Sequence, residues 1–311
     1  MSTGKSDQVP RLRIGLRQLE VFVATARAGS TRAAAERVAR SQSAASAALA
    51  ELESALGVAL FDRVRQRLVL NEQGRALLPR AASLLDQALE LQQAFGAGQA
   101  TPLRLAASMT IGEVLLPELV AGWQARHPAG PVQLQIGNTR EVIAAVTELQ
   151  VDLGFIEGAQ THPDLALLPW RHDEMVVVAA AGHPLAQLRR VPREALRQAR
   201  WVLREPGSGS RELAERWLIE HLGQIDLAFE LGSLEAIKRL VAAGTGLACL
   251  SEHAVASAVA DGSLVVLKTT LPPVRRRLAI VTHRGRRLGR ATEDFLQHCL
   301  AADGLAGRAR G

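Results

Sequence analysis

The stretch GSTRAAAERVARSQSAASAALAELESALG, Gly29 to Gly57, is an alanine-rich run interrupted by Arg40-Ser41. As one long helix it would be a packing element; as two helices it offers a polar helix start to solvent. The residues favour two. Thr31 caps a first helix reaching Val38 or Ala39, in which Ala33, Ala34 and Ala35 are strong helix formers that let a neighbour approach closely. Ser41 is a good N-cap for a second helix beginning at Gln42, and Gly57 suits the residue just past its end. Ala45, Leu49, Leu52 and Leu56 recur at helical spacing and form its buried stripe, while Gln42, Ser43, Ser46, Ala47 and Ala50 face the other way. Two helices joined by a short turn, the second with an exposed polar start, make a helix-turn-helix.

That start has the chemistry to meet a duplex. Gln42 can bond an adenine edge, Ser43 and Ser46 can donate or accept, and the free N–H groups after Ser41 favour a phosphate. Upstream, Leu19, Phe22, Val23 and Ala26 make 16–28 an amphipathic helix. Downstream, RVRQRLVLN reads as a hairpin wing turning at Arg65-Gln66-Arg67. Arg32, Arg63, Arg65 and Arg67 are placed to neutralise phosphates or probe the minor groove. An ordinary alanine-rich helical hairpin has the same spacing, so periodicity alone does not decide between them.

Residues 72–95 follow. Leu77, Ala81, Leu84, Ala88, Leu91 and Phe95 form a heptad seam, which predicts a dimerising helix bent at Pro79. Gly96, Gly98 and Pro102 mark a hinge over 96–102. From Leu103 the pattern alternates strands (103–107, 132–137, 152–156, 165–170, 174–180, 200–205, 227–231, 246–251, 264–268, 277–282) with helices. This predicts α/β organisation with largely parallel sheets in two small subdomains. Three strand-to-helix junctions, at Ser108-Met109-Thr110, at Asn138-Thr139 and at PGSGS (206–210), set hydroxyls and free N–H groups where open sheets bind ligands.

LRQLEVFVATARAGSTRAAAERVARSQSAASAALAELESALGVALFDRVRQRLVLNEQGRALLPRA resembles the N-terminal domain of LysR-type transcriptional regulators. Its Ala-Ala-Ala-Glu, Ser-Gln-Ser-Ala, Leu-Phe-Asp-Arg and Asn-Glu-Gln-Gly elements fall at that family's positions, and the likeness runs through nearly all the chain. The resemblance implies an all-α winged helix-turn-helix over 16–71 after a tail (1–15), a long linker helix over 72–95, and an effector domain over 103–303 before a second tail (304–311). That domain would be two-lobed and periplasmic-binding-protein-like (type 2), with lobe I at 103–175 and 278–303 and lobe II at 176–277. Ser108, Thr110, Asn138, Thr139, Ser208, Ser210 and Thr245 are then the candidate effector contacts. Implied partners are double-stranded promoter DNA, a second copy, a tetramer built as a dimer of dimers, and RNA polymerase. One departure stands out: after SQSAAS, members often carry an Arg or other polar groove-reading residue, where this chain has Ala47-Ala48. GNTREVI, DLGFIEG, LREPGSGSRE and LGSLEAIKRLVAAGTGLACLS resemble the sulfur-assimilation and carbon-fixation branch, which implies an oxyanion or a small carboxylate or phosphate as effector. Glu157 would oppose a highly charged anion if it faces the cleft, or else pair with a base such as Arg204.

Composition narrows the classes. The chain has 311 residues, 48 % hydrophobic and 22 % charged, as expected of a soluble globular protein of two or three domains. Aromatics at 3 %, with no tyrosine, disfavour stacking of single-stranded bases, while a net charge of +6 suits a polyanion. The opening MSTGKSDQVPRLR lacks the apolar core of a secretory signal and no apolar run is of membrane-spanning length, so a cytoplasmic protein without membrane contact is expected. No catalytic set is legible: Gly4-Lys5-Ser6 lacks the rest of a P-loop, and PGSGS has Pro206 where a nucleophile elbow needs glycine. His172-Asp173-Glu174 reads as exposed polar residues rather than a metal site, the runs Arg275-Arg276-Arg277 and Arg284–Arg287 read as solvated edges or an oligomer contact rather than a nucleic-acid surface, and no metal or cofactor is expected. Cys249 and Cys299 read as small core residues rather than a redox pair. The competing class is a cytoplasmic solute-binding or enzymatic α/β protein with an appended helical domain.

Overall fold

Capping and burial make the opening stretch two helices. The computed structural model describes residues 12–65, 67–95, 102–128, 130–158 and 160–308. Contacts divide the chain near residue 98 into two units, with Gly285–Gly289 belonging to the first. In that unit α1 (Leu16–Ala28), α2 (Thr31–Arg37) and α3 (Gln42–Leu56) precede β1 (Phe61–Val64), β2 (Arg67–Leu70) and α4 (Glu72–Phe95). Ser30, not Thr31, caps α2, its Oγ accepting from Ala33 N at 3.2 Å; two adjacent hydroxyls compete, and the outer one has the extended backbone a cap needs. Ala39 takes a left-handed φ of 51° in the turn, and Ser41 Oγ accepts from Ala44 N to start α3. Ala45, Leu49 and Leu52 are buried, but Leu56, in the last turn, is 37 % exposed and outside the stripe. Phe22 meets Phe61 edge to face, and Leu68 N donates to Gly29 O, pinning the hairpin. Gly74 is required by space, since a Cβ would stand 2.2 Å from Leu60 O.

Along α4, Leu78, Ala81 and Ala82 are buried, whereas Leu84 and Leu91 are exposed. Leu77 and Ala88 lie half-buried between these extremes. The side chain of Phe95, the hinge residues 96–101 and the tail residues 1–11 and 309–311 lie outside the described residues.

The second unit is two-lobed. Its elements are β3 (Leu103–Ser108), a π-turn (Ile111–Leu115), α5 (Leu116–Gln124), β4 (Val132–Gly137), α6 (Thr139–Thr147), β5 (Leu153–Glu157), β6 (Leu165–Ala180), α7 (Arg193–Arg197), β7 (Arg200–Arg204), α8 (Gly209–Leu222), β8 (Asp226–Leu231), α9 (Leu234–Ala242), β9 (Ala248–Ser251), α10 (Glu252–Ala260), β10 (Leu264–Val266), β11 (Val274–His283) and α11 (Arg290–Arg308). The last helix therefore continues into the segment read as a tail. β6 joins 165–170 and 174–180 into one strand, and it pairs along most of its length with β11.

These two long strands correct the expectation of largely parallel, separate sheets. Seven strands share one ladder, in the order β10-β6-β11-β5-β3-β4 with β9 also on β6; β3 pairs β4 and β5 in parallel, but β11 and β6 run antiparallel to their neighbours. β7 and β8 form a separate parallel pair. The register shifts between Leu278 and Ala279, leaving Trp170 as the extra residue of a bulge. Along β6, Met175, Val177 and Ala179 face one core with Trp201 and Trp217, while Val178 faces another with Val202, Ile237 and Leu250. Lobe I packs Val142, Val146, Ile156 and Val281 on one side of its sheet, with the rings of Trp123, Phe155, Trp170 and Phe295 meeting elsewhere in the unit.

Candidate nucleic-acid interface and ligand cleft

The polar start of α3 and the hairpin border one groove. Ser30, Thr31, Arg32, Gln42, Ser46, Arg63, Arg65 and Arg67 line it, around ≈ 520 Å³ of space. Gln42, Ser43 and Ser46 are exposed, as are Arg32, Arg63, Arg65 and Arg67. Ser41 Oγ, besides capping, lies 3.0 Å from Ser43 Oγ, a contact in which either hydroxyl can donate. Arg65 adopts a left-handed φ of 56° at the hairpin tip. Glu53 at the far end of α3 accepts from Leu60 N at 2.7 Å, which ties the reading helix to the base of the hairpin. Arg32 lies 3.9 Å from Glu36, both well exposed, a contact of little energetic weight. The groove thus presents four guanidiniums beside a polar helix start, the arrangement that grips phosphates and brings side chains to base edges.

In the second unit, a buried ionic cluster occupies the place where strand ends and helix starts converge. Glu157 ends β5 and is almost wholly enclosed. Its carboxylate accepts from Thr110 N (3.2 Å), from Ser210 Oγ (2.6 Å) and from Arg276 Nη1 (3.0 Å). Arg276 also donates through Nε to Asp173 (2.6 Å) and through Nη1 to Ser210 Oγ (2.7 Å), and Ser251 Oγ donates to Asp173 (2.9 Å). Thr139 Oγ1 accepts from Gly209 N and lies 3.5 Å from Glu157 O. No side chain fits at Gly209, where a Cβ would stand 2.1 Å from Glu157 O. Burial alone pushes the Glu157 carboxyl up; the Arg276 guanidinium, then Ser210 and Thr110, outweigh that and hold it below the usual carboxylate range, with Arg204 adding to the effect.

Of the predicted contacts, Thr110, Thr139 and Ser210 meet around Glu157. Ser108 ends β3 two residues before Thr110, with its Oγ buried and without a partner among the described residues. Asn138 and Ser208 use their side-chain acceptors to cap α6 and α8. Thr245 is engaged elsewhere, donating to Leu240 O past the end of α9. Two readings are corrected. Arg276 is not a solvated edge, nor is Asp173 an exposed polar residue: both are buried, and they pair directly across β11 and β6. The principal partner of Glu157 is Arg276 rather than Arg204, which bonds Glu205 through Nε and Nη2 and keeps Nη1 buried without a partner among the described residues. Among the described residues there is no cluster able to hold a metal ion. Both cysteines are buried, and burial pushes each thiol up to about 12.

Known proteins agree with this architecture. The family described as "Bacterial regulatory helix-turn-helix protein, lysR family" matches residues 16–75, and "LysR substrate binding domain" matches 96–304. The HTH-type transcriptional regulator YeiE of Escherichia coli K12 is 44 % identical over 288 residues, covering 93 % of this chain and 98 % of its own. A full-length OxyR from Pseudomonas aeruginosa, carrying a cysteine-to-aspartate substitution, superposes with a TM-score of 0.71 at 25 % identity, covering 93 % of this chain and 95 % of that one. The regulatory domain of CcmR from Synechocystis PCC6803, in complex with 2-PG, gives 0.61 at 30 % identity, covering 65 % and 97 %.

Proposed function

The chain belongs to the LysR family of DNA-binding transcriptional regulators, which are not enzymes, and we propose how its own residues divide that work. The observation that carries the reading is the shared groove of α3 and the hairpin. Gln42, Ser43 and Ser46 read base edges there, Ser41 and the start of α3 hold a phosphate, and Arg32, Arg63, Arg65 and Arg67 grip the backbone and flanking minor groove. Two copies join along α4, where Leu84 and Leu91 are exposed, and two such dimers pair into a tetramer on an imperfect inverted repeat. No described helix is long and apolar enough to cross a membrane, and we place the protein in the cytoplasm.

The effector is a small anion held beside Ser108, Thr110 and Arg204. Two buried polar atoms without partners among the described residues, Ser108 Oγ and Arg204 Nη1, support this site, as does the anion 2-PG in the related CcmR domain. Binding there biases the relative orientation of the lobes and so the DNA-bound state. The test is binding of the full chain to its own upstream duplex across a salt series. The reading holds if affinity exceeds that for random duplex, falls steeply with salt, and drops in Gln42→Ala with Ser43→Ala. A protein indifferent to duplex sequence and to salt would refute it.

A further inference from the structure

The reading helix α3 lies between two walls, and the hairpin forms only one of them. At about 3.6 residues per turn, Ser43, Ala47 and Ser54 fall opposite the buried Ala45, Leu49 and Leu52, and all three are exposed, so they form the crest that meets the duplex. On one flank of this crest Gln42, Ser46 and Glu53 face the hairpin arginines. On the other flank Arg40, Ala48 and Glu51 border a second depression, whose far side is made by Arg13 and Arg17 at the entry to α1. Arg13, Arg17 and Arg40 are exposed, and none of them is in an ion pair among the described residues. Glu51 is the one carboxylate among the described residues of this wall, and Gln18 Nε2 donates to it at 3.1 Å, so three guanidiniums stand against one carboxylate.

We propose that Arg13, Arg17 and Arg40 form a second phosphate clamp, which grips the DNA strand opposite the one held by the hairpin. The inference rests on the DNA groove proposed above. A helix seated in the major groove, about 12 Å wide, has a phosphate backbone along each side, one strand to a wall. The hairpin arginines and Arg32 serve one side only. On the other side Ala48, half-buried in the depression, puts nothing longer than a methyl group between the helix and the second strand. Ala47 and Ala48 thus give the clearance that brings that backbone within reach of Arg40 and of the two arginines at the entry to α1. Few side chains then read bases, and the register on the duplex is set by clamping both strands.

Neutral methylphosphonate linkages separate the two walls. The full chain is titrated by anisotropy against its own upstream duplex, with the linkages placed in one strand of each half-site or in the other. The wild-type chain should lose about tenfold in affinity with either strand neutralised. Arg13→Ala with Arg17→Ala and Arg40→Ala should become indifferent to one strand while still responding to the other, and its salt slope should fall by about two to three for each bound half-site. Arg63→Ala with Arg65→Ala and Arg67→Ala should show the reverse strand pattern. Arg40→Ala alone, which leaves the entry to α1 intact, should lower the slope by about one and blunt the response to the same strand as the first triple variant. A first triple variant with the wild-type slope, or one that still responds to both strands, overturns the second clamp. So does loss of response to the same strand in both triple variants, which would put both sets of arginines on one wall. A wild-type chain indifferent to neutral linkages in either strand fails the groove reading itself, and the clamp then falls with it.

Discussion

Replacing Arg276 by Met tests whether the two lobes are held by a buried charge or merely by packing. The wild-type guanidinium bonds Glu157 and Asp173 with about 1 % of its side-chain surface exposed. Met fills much of the same volume, but it leaves two enclosed carboxylates facing each other. Glu157 would keep Ser210 and Thr110, and Asp173 only Ser251. Removing one member of a buried ion pair costs about 3–5 kcal/mol, because the remaining charge stays desolvated. For a unit of this size that corresponds to a fall in Tm of roughly 6–20 °C. All four tryptophans, Trp123, Trp170, Trp201 and Trp217, lie in the second unit, so fluorescence-detected unfolding of the full chain reads that unit alone. Combining Arg276→Met with Glu157→Gln should cost less than the two single changes added together, since one unpaired charge has been removed. A loss under about 1 kcal/mol for Arg276→Met, or strict additivity with Glu157→Gln, would refute the claim that this charge organises the cleft.

Other outcomes follow from the same geometry. Arg65→Ala at the hairpin tip should weaken binding to specific and random duplex alike and reduce the salt slope by about one, as read by anisotropy over a salt series. Leu84→Glu with Leu91→Glu should convert the oligomer to smaller species by light scattering, without lowering the tryptophan-detected Tm. Glu157 has a folded-state value below its ordinary one of 4.5, so its contribution to stability is present above that pH and is lost as pH falls through the folded value; Glu157→Gln should flatten the acid limb of the Tm profile. Cys249 and Cys299, with thiols pushed up to about 12, should resist alkylation near neutral pH in the native chain and react promptly in denaturant.

What could be read in the sequence depended on whether the decisive interaction is local. The break at Arg40-Ser41 was legible because an N-cap is satisfied within a single turn: Ser41 needs only Ala44 N. Ser30 and Thr31 were interchangeable at that level, and only backbone conformation separates them. The central cluster needs long-range information of two kinds. Parity was available: Val274, Arg276 and Leu278 share one face of a strand, as do Asp173, Met175 and Val177, and both charged residues are buried with their apolar neighbours. Parity alone says only that an arginine and an aspartate turn inward. Their meeting depends on register, because Arg276 pairs with Asp173 directly across the two strands, whereas past Leu278 the bulge at Trp170 moves every partner by one. One bulged residue, Trp170, thus separates the register beyond Ala279 from that of the buried Arg276–Asp173 pair. The charge in the run Arg275-Arg276-Arg277 therefore reads as surface in a linear scan. It becomes the core of the cleft only when a second strand, 103 residues earlier in the chain at Asp173, supplies the carboxylate that offsets the cost of burying it.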